Sequence, residues 1–309
     1  MTVRVLTHVG GEVVETIARE VPDVEVIAIP GDGELEPHVQ GDVLFTMVWG
    51  TSNMPQALER GVRWVHTMGT GVERFPFDLL TDQVLTCARG ASAVPISEWV
   101  LACMLAFEKQ LPEQWLSAPP ERWNLARLGT LYGKTVAIVG LGGIGLAVAH
   151  RALAFGMDVV ASRRTDVPSP IPAVRLVGAL DELLPIADHL VLAAPATPAT
   201  YHMIDTRAFS LMKPGVHLVN IARGSLVDQD ALRDALDAET VAMASLDAVD
   251  PEPLPSGHWM YSHPRVRLSP HISWSPSAVD ESVRIFIENL RRYVAGEALD
   301  GVVDVAEGY

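Results

Sequence analysis

Apolar residues along this chain fall in short, nearly continuous runs separated by more polar stretches. In the first third the runs lie at 3–9, 24–29, 43–48, 64–66 and 84–87, with helix-like segments at 12–19 and 55–60. That alternation predicts a parallel sheet with helices on both faces. A long helix is expected from about 96 to 109. Residues 111–133 read as a loop, with Pro112, Pro119, Pro120, Gly129 and Gly133, yet they carry Trp115, Trp123 and Tyr132. Aromatic side chains in a loop point to a surface it lies against, either its own domain or a second subunit.

A second alternating series follows, with strands read at 135–139, 157–162, 174–177, 189–194, 216–221, 241–246 and 266–268, and helices between most of them. Pro168, Pro170 and Pro172 mark a loop between the second and third of these. The last helix is expected to begin near Pro276, a first-turn proline after Ser275 as N-cap, and to run to about Ala295. The pattern is α/β: two doubly wound parallel-sheet domains. It contains no solenoid repeat.

The turn Gly140-Leu141-Gly142-Gly143-Ile144-Gly145 sits between the apolar strand Thr135-Val136-Ala137-Ile138-Val139 and a helix-like stretch at 144–155. Alone, G-x-G-x-x-G is a weak signal; between a strand and a helix it is a dinucleotide-binding fingerprint. Gly140 permits the tight turn, Gly142 lets the backbone approach a pyrophosphate, and Gly145 lets helix and sheet pack closely. The helix start offers N–H groups and a positive dipole end to phosphates. The alternative is a glycine turn with a purely structural role.

A second strand ends at Ser162, and Arg163-Arg164-Thr165 follow. An NAD site places an Asp or Glu there, about 20 residues past the glycines, to accept from the ribose 2′-hydroxyl. Arginines cannot accept that bond but pair bidentately with a 2′-phosphate, so NADP is expected in preference to NAD. The nearest acid, Asp166, lies past the strand end. Two solvated loop arginines are the plainer reading.

With 309 residues the chain is long enough for two domains. Its 49% hydrophobic and 20% charged content fits a globular protein. A formal net charge of −15 argues against nucleic-acid backbones and acidic membranes as partners. Cys87 and Cys103 lie in apolar stretches and read as core residues, compatible with a reducing cytoplasm. No signal peptide or membrane-spanning run is expected, and no metal site.

Three polar residues lie just past strand ends of the second series: Arg223, Glu252 and His271. Ligands of doubly wound sheets bind outside the carboxyl ends of the strands. Reduction of a 2-keto acid needs a hydride and a proton. A histidinium is a suitable proton source near neutral pH, and a neighbouring carboxylate favours that form. An arginine orients a substrate carboxylate and polarises the carbonyl. Each has a structural alternative: a capping or core histidine, a surface glutamate, an arginine ending a strand.

Four segments together resemble the D-isomer-specific 2-hydroxyacid dehydrogenases over nearly the whole chain. They are Gly133 to Gly145; Ala187-Asp188 to Pro195-Ala196-Thr197-Pro198-Ala199-Thr200; Met212-Lys213-Pro214-Gly215 to Asn220-Ile221-Ala222-Arg223-Gly224; and Leu246-Asp247 through Glu252-Pro253 to Pro270-His271-Ile272. The resemblance implies Arg223 as the substrate-orienting arginine, His271 as acid/base and Glu252 as its partner. It implies cofactor contacts from Gly140, Gly142, Gly143, Ile144, Gly145, Ser162, Arg163, Arg164, Pro195, Thr200 and Ala222, with Asp247 near the nicotinamide carboxamide. In the first domain, Gly69, Thr70 and Gly71 match the family's turn that binds the substrate carboxylate, and Trp49 falls in the loop expected beside the substrate.

The resemblance also implies a Rossmann cofactor domain, 101–275, inserted in a discontinuous flavodoxin-like substrate domain, 1–100 with 276–309. The active site would lie in the cleft, and the partner would be a second copy contacted through 111–133. The chain departs from the common pattern at Arg163, where an acid usually stands, and at Ala193-Ala194, where many members carry a histidine. Ser162-Arg163-Arg164 is most similar to the glyoxylate and hydroxypyruvate reductase branch. The expected function is NADP-dependent reduction of a small 2-keto acid, with NAD use possible. A dinucleotide-sensing corepressor and a dehydrogenase of an unusual donor are the alternatives. Glu252, where formate enzymes place glutamine, counts against formate.

Overall fold

The computed structural model describes residues 2–124, 127–165 and 167–308. The first series contains β1 (Val3–Thr7), α1 (Glu12–Glu20), β2 (Val24–Ala28), β3 (Val43–Thr46), α2 (Met54–Leu58), β4 (Trp64–Thr67) and β5 (Val84–Cys87). The second contains α3 (Ala93–Lys109), β6 (Thr135–Val139), α4 (Gly143–Ala154), β7 (Asp158–Ser162), β8 (Arg175–Val177), α5 (Leu180–Leu183), β9 (His189–Leu192) and α6 (Thr206–Leu211). It continues with β10 (Val216–Asn220), α7 (Gln229–Asp237), β11 (Val241–Leu246) and β12 (Val266–Leu268), and α8 (Ser277–Ala295) closes the order. The chain divides into two compact units, Met1–Ser92 with Ser275–Tyr309, and Ala93–Trp274.

The first unit holds a five-stranded parallel sheet in the order β2-β1-β3-β4-β5, a flavodoxin-like arrangement. All four residues of β3 and of β4 are buried, which is why their sequences do not alternate apolar with solvent-facing polar residues. The returning helix α8 completes the layer. Its Phe286 stacks on Phe45 at 4.3 Å and lies 5.4 Å from Trp64. Burying each such ring contributes roughly 1.5–3 kcal/mol. Beyond α8, Val303 enters the core and its N–H reaches Leu85 O at 2.9 Å.

The second unit holds a seven-stranded parallel sheet, β12-β11-β10-β9-β6-β7-β8. Within it, the six strands from β8 to β11 follow Rossmann order, and the order reverses between β6 and β9, where such sheets bind ligands. Helix α4 presents Gly145, Val148, Ala149 and Ala152 to the sheet, a face small enough for close approach.

Two expectations need adjustment. Strands β1, β3 and β9 end about two residues early, at Thr7, Thr46 and Leu192. Ala193 N–H still bonds Val139 O at 2.8 Å, so the backbone leaves the ladder only gradually. Helix α8 begins at Ser277 with Pro276, not Ser275, at the N-cap position. Pro276 already has helical dihedrals, and the Ser275 hydroxyl bonds that of Ser277 rather than a backbone N–H. In the 111–133 stretch Trp115, Trp123 and Tyr132 are exposed, while Leu125 and Ala126 lie outside the described residues, as does Asp166. Among the described residues no helix is long and apolar enough to cross a membrane.

Candidate active site

The glycine turn after β6 shows what each glycine is for. Gly140 has φ +98°, and a Cβ there would lie 2.7 Å from Ala193 O. The turn therefore presses directly against the strand end carrying Ala193 and Ala194. A Cβ on Gly145 would lie 2.1 Å from Gly140 O, so only glycine lets α4 start at this distance from the turn. Gly142, at the N-cap of α4, has open space where a side chain would be. The donor chemistry of a helix start beside such a gap fits a pyrophosphate. Ile144 follows in the first turn.

At the neighbouring strand end Ser162 pairs with Val139 and accepts from Gly140 N–H at 2.9 Å. Arg163 and Arg164 leave directly from this point. The Arg163 Nε donates to Thr165 Oγ1 at 3.1 Å. Beyond β9, the Thr200 hydroxyl donates to Pro195 O at 2.7 Å and accepts from Thr197 N–H at 2.8 Å. These bonds fold the 195–200 loop into a tight turn beside the fingerprint strand.

Arg223 follows β10 and is shaped by Asn220, which is buried. The Asn220 amide donates to Arg223 O at 2.9 Å and accepts from Ala222 N–H at 3.0 Å. The guanidinium Nη1 donates back to Ala222 O at 2.7 Å. Gly224 lets this strand end meet the next one: a Cβ there would sit 1.9 Å from the Val249 carbonyl carbon.

Past β11, Val249 N–H donates to Glu252 Oε1 at 3.1 Å, and the other oxygen, Oε2, lies 2.9 Å from His271 Nδ1. His271 is 44% exposed at its side chain. Its backbone has φ +55°, a conformation that costs a non-glycine residue energy and persists only where surroundings enforce it. Asp247 enforces it. This carboxylate is 2% exposed and accepts from Ser269 Oγ at 2.5 Å, Ile272 N at 2.9 Å and Ser273 N at 2.9 Å. Ile272 and Trp274 then project outward on either side of buried Ser273.

The structure thus brings Arg223, Glu252 and His271 to the carboxyl ends of adjacent strands. Sequence reasoning missed Asn220, Gly224 and the Asp247 anchor. The signals were present: polar residues ending apolar strands, and a glycine directly after the arginine. In the first unit Gly69, Thr70 and Gly71 form the turn after β4, with the Thr70 hydroxyl on Ala88 O at 3.0 Å. A Cβ on Gly69 would lie 2.6 Å from Val48 Cγ1. Trp49, in the loop after β3, is exposed.

Residues 101–273 match the model of the D-isomer specific 2-hydroxyacid dehydrogenase NAD-binding domain. The chain is 29% identical over 299 residues to a D-3-phosphoglycerate dehydrogenase of Methanocaldococcus jannaschii, covering 94% of this chain and 57% of the relative. It is 41% identical over 231 residues to a glyoxylate reductase of Thermococcus onnurineus, covering 70% of this chain and 66% of the relative. The chain spans about half the length of the curated phosphoglycerate dehydrogenases it matches. Among solved structures, a D-isomer specific 2-hydroxyacid dehydrogenase from Xanthobacter autotrophicus, in complex with NADPH and MES, aligns with TM-score 0.85. It is 25% identical, and the match covers 100% of both chains. An NADPH-dependent glyoxylate/hydroxypyruvate reductase from Sinorhizobium meliloti, in complex with NADP and sulfate, aligns with TM-score 0.81. It is 26% identical, with 99% of this chain and 100% of that one covered.

Proposed function

This chain belongs to the D-isomer-specific 2-hydroxyacid dehydrogenase family, and from that premise we propose that it is an NADPH-dependent reductase of small 2-keto acids. The observation that carries the reading is the 2.9 Å His271–Glu252 pair, set past the strand ends in the same sheet as Arg223 and the fingerprint.

Gly142, Gly143 and Ile144 would hold the pyrophosphate through their N–H groups, and Ser162, Arg163 and Arg164 the 2′-phosphate. The loop residues Pro195, Thr200 and Ala222 would line the dinucleotide. When bound, the dinucleotide supplies the hydride. Arg223 grips the substrate carboxylate with its planar fork and polarises the carbonyl. In the first unit, Gly69, Thr70 and Gly71 would offer backbone N–H groups to a substrate carboxylate. His271 delivers the proton from Nε2, because Glu252 occupies Nδ1 and fixes which nitrogen faces the substrate. Asp247 holds the loop on which that imidazole stands.

Among 2-keto acids we assign glyoxylate or hydroxypyruvate. The support is the similarity to proteins named for those substrates and the absence of a charged side chain in the Thr46-Met47-Val48-Trp49-Gly50-Thr51 loop. We further propose a homodimer that covers Trp115, Trp123 and Tyr132, and a reducing cytoplasmic setting in keeping with two unpaired cysteines. The test is NADPH oxidation across glyoxylate, hydroxypyruvate, pyruvate and bulkier 2-keto acids, with NADH in parallel. No turnover of any 2-keto acid with either cofactor overturns the reading.

A further inference from the structure

A second set of titratable groups lies inside the Ala93–Trp274 unit, at the amino-terminal ends of β9 and β10, opposite the strand ends that carry Arg223 and His271. His189 and His217 are completely buried and face each other, Nδ1 to Nδ1, at 3.1 Å. His189 Nε2 lies 3.1 Å from Glu108 Oε1 on α3, and Lys134 Nζ lies 2.5 Å from the same oxygen. At the other end, His217 Nε2 lies 3.0 Å from Ser245 Oγ on β11. The groups form one chain from Lys134 through Glu108, His189 and His217 to Ser245. Phe107 stacks on His217 at 4.6 Å, and Gly129 leaves the room that Glu108 needs, since a Cβ there would lie 1.9 Å from Oε2.

The chemistry of the members gives the chain a direction. An ionised carboxylate only accepts, so His189 carries its proton on Nε2. As a neutral imidazole its Nδ1 then has a lone pair, and His217 must supply the one proton between the two rings. With its proton on Nδ1, His217 accepts at Nε2 from the Ser245 hydroxyl. One further proton reverses the two bonds made by His217: His189 becomes imidazolium and still donates to Glu108 from Nε2, His217 accepts at Nδ1 and donates from Nε2, and the Ser245 hydroxyl must turn away. The reversed chain also places a net positive charge in the interior, which is costly.

We propose that this chain is an acid-sensitive latch: at neutral pH it joins α3 to β9 and β10 with no net charge added to the interior, and uptake of one proton buries a positive charge there and loosens α3. Burial holds His217 well below the ordinary imidazole range, with His189 and Lys134 adding to that effect. Burial opposes ionisation of Glu108, but hydrogen bonds from His189 and Lys134 outweigh it and hold the carboxyl below its usual value. Asp188 is kept ionised against burial by Lys213, at 2.7 Å, and by Thr135 N–H, and burial pushes the Cys103 thiol up to about 12. Asp247, just past β11, accepts from three donors. An imidazole kept neutral in the docked state and free to protonate in the open one makes the docked state weaker as pH falls, by about tenfold per pH unit for one proton.

Two measurements on the full-length wild type decide the matter. In 1H–15N spectra of the imidazole rings at pH 7.5, His189 is expected as the Nε2–H tautomer and His217 as Nδ1–H; the opposite assignment of either ring overturns the proposal. In hydrogen–deuterium exchange from pH 7.5 to 5, corrected for intrinsic rates, the protection of residues 93–109 is expected to fall at least tenfold. Protection that stays level overturns it. His217→Asn should flatten that dependence, and a slope equal to the wild type's in the variant would also overturn it. The wild-type measurements stand even where the variant fails to fold.

Discussion

Replacing Asp247 by Asn changes one oxygen of a buried carboxylate into an amide nitrogen and little else in shape. The carboxylate accepts from three donors, two on Oδ1 and one on Oδ2. The best orientation of Asn keeps its oxygen towards Ser269 and Ile272. Its NH2 group then faces Ser273 N–H, donor against donor, across a gap that is now 2.9 Å. Losing one charge-assisted bond and leaving a buried N–H unpaired should cost about 2–4 kcal/mol. That loss falls on the loop that holds His271 at φ +55°. A relaxed loop moves the imidazole, and a shift of about 1 Å at a reacting group costs on the order of 100-fold. The expected result is kcat for glyoxylate down about 10- to 100-fold, with NADPH affinity within about threefold of wild type. Steady-state NADPH oxidation gives the first number, nicotinamide fluorescence titration the second, and guanidinium unfolding the stability. Unchanged kcat refutes the anchoring role. A loss confined to NADPH affinity assigns the carboxylate to the cofactor instead.

Four further outcomes are expected. His271→Ala should lower kcat about 10²–10⁴-fold while NADPH still binds; retained turnover removes the imidazole from proton transfer. Arg163→Ala should erode an NADPH preference by on the order of tenfold, read from kcat/KM with both cofactors; equal wild-type efficiencies rule the assignment out. Gly224→Ala should destabilise the protein by about 1–3 kcal/mol and depress kcat, because Val249 must move and carry Glu252 with it; a fully active, fully stable variant contradicts the packing described. In the first unit, burial lowers His66 to about 3. Its exposed form titrates near 6.5, so the stability it contributes is present above that pH and is lost as pH falls towards 3. The stability gap between wild type and His66→Gln should therefore narrow on acidification, by at most roughly 5 kcal/mol; a constant gap in urea titrations from pH 7 to 4 would falsify this.

The parallel sheets were legible because strands buried on both faces leave continuous apolar runs, as Val136-Ala137-Ile138-Val139 does. The fingerprint was legible because each glycine answers a local steric demand within six residues. Asp247 was harder, since its donors lie 22 to 26 residues further on and meet it only once β11 and β12 pair. His189 and His217 passed as ordinary members of apolar strands; nothing in either segment says that, 28 residues apart, their rings meet at 3.1 Å. Ser275 was misplaced as a cap by one residue because the ring of Pro276, which has no N–H to donate, presets helical dihedrals, and the hydroxyl before it found Ser277 instead.

The first unit is assembled from both ends of the chain, and this orders events at the ribosome. Phe45 and Trp64 are made early, but Phe286, which stacks on both, emerges only after Ala93–Trp274 has been synthesised. At typical elongation rates that interval is on the order of 10–40 s. During it, the face of β3 and β4 that carries Phe45 and Trp64 lacks α8, while the inserted unit has all of its own sequence and can fold. Nascent chains of this protein should therefore be most dependent on chaperones, and most prone to associate through that apolar face, in the window that closes when α8 leaves the exit tunnel.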